Sequence, residues 1–168
     1  VLNIAGGTLR VNGTLYAPRN FSVIAKDVIL GTSGVLGGPL DAHGETEALK
    51  PSLDVQASAL ILVRGVIRAR NLRLSCPNLV VAVRGHVNAD ALGYLPGMGP
   101  GAPPTGNAGF SLSGAGHGGD GGAYHVGTHI SGYAYGDKLQ PVLPGSGAGV
   151  STSKAAGARG GGVLRITA

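Results

Sequence analysis

Three segments of this chain follow one pattern: VNGTLYA from Val11 to Ala17, VRGVIRA from Val63 to Ala69, and VRGHVNA from Val83 to Ala89. Each reads Val-x-Gly-x-apolar-x-Ala, and the second and third begin 20 residues apart. Apolar or glycine residues at every second position are the mark of a strand with one buried face. A looser copy, ILGTSGVLG, runs from Ile29 to Gly37. A repeat of this length made of short strands points to a β-solenoid, each coil stacked on the last at about 4.8 Å. The alternation places Leu9, Val11, Leu15 and Ala17 inside, with Ile61, Val63, Ile67 and Ala69, and likewise Val81, Val83, Val87 and Ala89. It places Asn12, Arg64 and Arg84 at one equivalent outward position.

Composition removes the main alternative class. The 32 glycines and 10 prolines make helix unfavourable along most of the chain. An antiparallel sandwich fits less well, because its hairpin turns separate strands and here Asn12-Gly13 falls within an alternating run. The expected organisation is a single module. Residues 1–92 form regular coils interrupted by a projecting loop at 37–52. Residues 93–162, which hold 22 of the 32 glycines, form loops packed on the coils. Residues 163–168 are a returning strand. Polyproline-like pieces are expected around GYLPGMGPGAPPTG, and a bundle of polyproline II segments is the second choice for that region. Phe110, Leu112, Tyr124, Val126, Ile130, Tyr133, Tyr135, Leu139, Val142 and Leu143 are the residues the glycine-rich part has to bury. Because GGGVLRITA echoes VLNIAGGTL, the sequence reads as a piece of a longer protein whose neighbours continue the stack.

Charge narrows the partners. The net charge of +5 draws on Arg64, Arg68, Arg70, Arg73 and Arg84, with no acidic residue between Val55 and Ala89. Nucleic acid is not expected, since no aromatic side chain in that stretch can stack on a base. Arg64, Arg68 and Arg84 are instead the candidate face for an anionic polysaccharide. No run of apolar residues is long enough to span a membrane. The single cysteine, Cys76, is expected to be a buried apolar filler.

The Val-x-Gly-x-apolar-x-Ala coils, followed by GAGHGGDGGAYH, YAYGDKLQPVLPGSGAG and GGGVLRI, resemble the glycine-rich parallel β-helix regions of large secreted and cell-surface proteins of algae and other microbial eukaryotes. The resemblance covers most of the chain. It implies a right-handed, pectin-lyase-like helix and an extracellular structural or adhesive role, in a filament, wall or coat built from copies or adjacent modules set end to end. It also brings an alternative, a carbohydrate-binding or carbohydrate-active helix, since lyases and hydrolases share the fold. Two sequons, Asn12-Gly13-Thr14 and Asn20-Phe21-Ser22, then become candidate glycosylation sites with covalent glycans.

No enzyme activity and no cofactor are expected. Gly114, Gly116 and Gly119 spell G-x-G-x-x-G, but the sequence after Gly119 is a poor helix and cannot seat a pyrophosphate. Gly-His-Gly at His117 also occurs in polygalacturonases, yet the paired aspartates and the lysine of their Arg-Ile-Lys segment are missing. No metal is assigned; a site would have to draw on His117, Asp120, His125 and His129. Glycine is expected in this stretch where the chain passes too closely over a neighbour to admit a Cβ.

Overall fold

The computed structural model describes residues 1–17, 19–38, 52–104, 113–123, 130–137, 139–150 and 157–168. Among them there is no helix. Ten strands are present: β1 Leu2–Val11, β2 Thr14–Tyr16, β3 Asn20–Leu30, β4 Val35–Gly37, β5 Ser52–Val63, β6 Val66–Arg68, β7 Asn71–Ser75, β8 Leu79–Val81, β9 His86–Asn88 and β10 Val163–Thr167. The chain divides into two compact units, one of residues 1–89 with 164–168 and one of residues 90–163.

In the first unit the chain alternates between two sheets. One has the order β1-β3-β5-β7-β10 with β8 also on β5, and the other the order β2-β4-β6-β9. The pairs β1/β3, β3/β5, β5/β7, β5/β8, β2/β4, β4/β6 and β6/β9 are all parallel. Their register brings like side chains into columns. Leu9, Val28, Ile61 and Leu79 align, as do Val11, Leu30, Val63 and Val81, and Leu15, Leu36, Ile67 and Val87. The middle members, Val28, Leu30, Leu36, Ile61, Val63 and Ile67, are fully buried, and Leu9, Leu15, Leu79 and Val87 pack against them at the margins. The period of two thus reads out directly as a core of aliphatic columns, each full-length Leu or Ile side chain contributing about 1.5 to 3 kcal/mol by leaving water.

The glycine of the motif does something other than occupy a strand. Gly13, Gly34, Gly65 and Gly85 lie at corners between the sheets, and the carbonyl of each of the first three accepts an N–H from the layer above: Val35 N–H to Gly13 O at 2.9 Å, Val66 N–H to Gly34 O at 2.9 Å, His86 N–H to Gly65 O at 2.8 Å. A Cβ on Gly34 would overlap the Val11 carbonyl oxygen, one on Gly85 the Val63 oxygen, and one on Gly65 the Gly34 oxygen. The corners alternate in length. Two residues join β1 to β2 and β5 to β6, whereas Gly31–Gly34 and Ala82–Gly85 are four-residue turns closed by N–H to O bonds of 2.9 and 2.8 Å.

That alternation corrects the assignment of the third copy. Val83 was placed inside by analogy with Val63, but the residue in register with Val63 is Val81. Val83 belongs to the four-residue corner and is 93% exposed. Val81, though correctly aimed inward, is 46% exposed, because among the described residues no strand follows β8 to cover it.

Among its described residues the second unit has no strand of its own beyond Val163, the first residue of β10. Gly114, Gly116 and Gly118 donate to the carbonyls of Gly122, Gly101 and Tyr135, three different segments. In a strand, residues two apart would bond to the same neighbour. A repeat of three is visible instead: Tyr94 and Gly97 donate to Gly145 and Ala148, and Gly145 and Ala148 donate in turn to Gly161 and Ala158. A spacing of three is the one at which a chain with three residues per turn, as in polyproline II, aims its N–H groups the same way, successive ones standing about 120° apart. Glycine is demanded by proximity: a Cβ on Gly116 would overlap the Tyr133 carbonyl, and one on Gly132 the Gly101 carbonyl oxygen.

Expected burial of the interspersed apolar residues does not hold. Ile130, Tyr133, Leu139, Val142 and Leu143 are exposed, Leu139 to 83%, and Tyr135 is half-buried, while Phe110, Leu112, Tyr124 and Val126 lie outside the described residues. Segments close enough to bond backbone to backbone leave no room between them for side chains. The buried positions among the described residues are instead mostly small: Gly93, Gly101, Gly116, Gly132, Gly147, Gly149 and Gly160, with Ser113 and Ser146, beside Leu92, Pro103 and Pro144.

Candidate functional site

Asn12, Arg64 and Arg84 each immediately precede a stacked corner glycine, so the structure brings them into one column, and all three are exposed. Ser33 holds the same place in the second layer and donates its hydroxyl to the Asn12 carbonyl at 2.7 Å. Arg84 has φ of +70°, a conformation an L residue adopts at a cost, which here turns its side chain out at the end of a four-residue corner. Arg68 is not part of this column. It lies at the far end of β6, half-buried, and its Nε donates to the Gly38 carbonyl at 2.6 Å. Of the two sequons, Asn12 sits at the corner and Asn20 is the exposed first residue of β3, in register with Ser52.

Below the first layer, a groove of about 320 Å³ is lined by Leu2, Leu9, Arg10, Val11, Asn12 and Leu15 among others. A second hollow of about 290 Å³ follows the register shifts in the larger sheet, between Ala5, Gly6, Ala25, Gln56, Ser58 and Ser75. Beside it the outward side chains form polar rows: Ser22, Asp54 and Arg73, and Asn20, Ser52 and Asn71. Gln56 donates to Asp54 Oδ2 at 2.8 Å and Asn71 to the Ser52 hydroxyl at 3.1 Å, while Asp54 Oδ1 and Asn71 Oδ1 are covered without a hydrogen-bond partner. Neither row was legible beforehand, since it depends on register across layers.

In the second unit, His117 and Asp120 are engaged locally. The His117 ring packs edge-on against Tyr135, centroids 4.8 Å apart, and its Nε2 is 3.0 Å from the Leu143 carbonyl oxygen. Tyr135 in turn donates its hydroxyl to the Pro144 carbonyl. Asp120 Oδ1 accepts the Ala134 N–H at 2.6 Å, and Asp137 caps the turn after it by accepting from Leu139 and Gln140. These contacts tie three segments of the glycine array together. His125 and His129 lie outside the described residues, as do most of the loop at 37–52 and the end of APPTG. Among the described residues no three His, Cys, Asp or Glu side chains gather as metal ligands. Gly114, Gly116 and Gly119 lie in the array, and the described residues that follow them, 120–123, are not helical.

Cys76 is 6% exposed and belongs to the core cluster. Burial pushes its thiol up from the ordinary value, outweighing backbone hydrogen bonds at Ile61 and Asn78 that favour the thiolate. Its contribution to stability is complete below the ordinary thiol pKa and declines as pH rises through the raised one. Alkylation by iodoacetamide at pH 8 is expected to run about a hundredfold slower in the folded chain than in urea; comparable rates would show that the site opens.

The described residues thus define an all-β protein with two parallel sheets and no helix. No protein-family model matches the chain, and no match appears among curated proteins or among solved structures.

Proposed function

We propose that this chain is a non-enzymatic structural module of an extracellular or cell-surface assembly: a right-handed parallel β-helix carrying a glycine-rich array, glycosylated and set end to end with copies or adjacent modules. The supporting observation is the corner column of Gly13, Gly34, Gly65 and Gly85, where each layer bonds to the next through backbone alone. Such a stack resists shear cooperatively and is extended by adding layers. It is bounded, among the described residues, by strands paired on one side only, β1 and β2 below and β8, β9 and β10 above. Unpaired strand edges are templates for association. Arg64 and Arg84, in one exposed column, give the module a basic corner suited to an anionic polysaccharide of the same matrix.

Sedimentation velocity over a hundredfold range of concentration, together with peptide mass spectrometry of protein secreted from a eukaryotic host, tests this reading. Sedimentation is expected to grow with concentration and the Asn12 and Asn20 peptides to carry hexose. A monomer at every concentration, with both asparagines unmodified, would remove the proposal.

A further inference from the structure

The direction of the interlayer bonds says which edges meet. Gly31 N–H bonds to Val11 O, Arg64 N–H to Leu30 O and Ala82 N–H to Val63 O, at 2.9, 3.1 and 2.9 Å. At the neighbouring corner position Val35, Val66 and His86 donate to Gly13, Gly34 and Gly65. Every layer therefore offers two corner carbonyls upward and two N–H groups downward. Continuing the series leaves Val81 O and Gly85 O as the acceptors at the top and Asn12 N–H and Thr14 N–H as the donors at the bottom. The side chains continue as well, for Leu79, Val81 and Val87 above stand in the same columns as Leu9, Val11 and Leu15 below.

We infer that a second copy of this chain docks head to tail, its Leu9–Tyr16 edge pairing in parallel with β8 and β9 of the first. The inference rests on the structural reading above and specifies its contact. Like edges cannot meet in this way, since two bottoms present only donors at these corners and two tops only acceptors. The contact is therefore heterologous and propagates. It also closes the groove beneath Leu9 and Leu15 and covers Val81.

One strand stands in the way. β10 lies beside β7 in the larger sheet, where the Leu2–Ile4 half of an incoming β1 would run. Its hold is slight, because Leu164, Arg165, Ile166 and Thr167 are exposed. Its sequence also shares Val-Leu-x-Ile with the start of the chain. β10 is accordingly a displaceable strand that the second copy replaces with a similar one.

Thr14 and His86 share an outward column but lie three strand spacings apart within one chain, about 14 Å. That is too far for a disulfide, whereas in the proposed contact they are adjacent. Full-length chains carrying Thr14→Cys or His86→Cys, each with Cys76→Ala, are mixed and mildly oxidised. The mixture is expected to give a covalent dimer and either variant alone to give none beyond background. Ile166→Pro, which unseats β10, is expected to speed that cross-link about tenfold. Sedimenting oligomers without the mixed cross-link, or with equal cross-linking of single variants, would overturn the edge assignment while leaving the structural reading standing. A monomer throughout would overturn both. An unchanged rate for Ile166→Pro would overturn the displacement of β10.

Discussion

Gly65→Ala is expected to destabilise the first unit by about 3 to 5 kcal/mol, lowering its melting temperature by roughly 12 to 40 °C. The new Cβ would overlap the Gly34 carbonyl oxygen and lie 2.6 Å from that of Gly31. Both atoms are backbone, so neither can swing aside as a side chain would. Relief requires the layers to part at the corner, which stretches the Arg64 N–H to Leu30 O and Val66 N–H to Gly34 O bonds on either side. Each is worth about 0.5 to 1.5 kcal/mol when made and more when a buried partner is left unmet. Gly13→Ala is the matched comparison: the same motif position, with nothing within 4 Å of the added methyl. It is expected to change stability by less than about 0.5 kcal/mol. Thermal unfolding followed by circular dichroism checks the pair; equal effects would mean that the glycine column is not what limits the stack.

Gly132→Ala should be as damaging in the second unit. A Cβ there would overlap the Gly101 carbonyl oxygen and lie 2.7 Å from the Gly116 nitrogen and 3.0 Å from Ala115 Cα. Gly132 sits where three segments converge: its N–H bonds to Gly114 O and its carbonyl accepts from Gly121. With few apolar side chains buried among the described residues of this unit, the array has little else to compensate. Amide hydrogen exchange at Gly116, Gly121 and Gly132 is expected to quicken at least a hundredfold, equivalent to about 3 kcal/mol of local stability. Gly119→Ala, which meets nothing within 4 Å, should leave exchange unchanged. If Gly132→Ala also left it unchanged, backbone proximity would not be what orders these segments.

The two units were unequally legible in the sequence, for a physical reason. In the first, alternation of side chains correctly aimed Ile61, Val63, Ile67 and Ala69 inward and Asn12, Arg64 and Arg84 outward, because a strand sorts side chains by period. It failed at Val83, where two extra corner residues shift the register without disturbing the apparent motif. In the second unit the ordering element is the main chain, and side-chain pattern carries almost no information about it. Glycine spacing was the available signal, since glycines stand where segments touch backbone to backbone. The apolar residues between them pointed the wrong way, towards burial that the close segments leave no space for. The column of Asn12, Arg64 and Arg84 was legible because it repeats with the motif, whereas the row of Ser22, Asp54 and Arg73 depends on pairing across layers.

The threefold aim of the N–H groups in the glycine array has a consequence for how that unit meets its surroundings. A sheet gathers its unmet donors and acceptors into a straight rail along each edge, and another strand can run along that rail. A segment with three residues per turn presents its outward N–H groups once in about 9.3 Å, the rest being turned to other neighbours. Sparse sites at that interval suit water molecules or hydroxyls that bridge them singly, and they offer no continuous seam to an approaching chain. Of the two units, the glycine-rich one thus lacks the continuous edge that the sheets of the other possess.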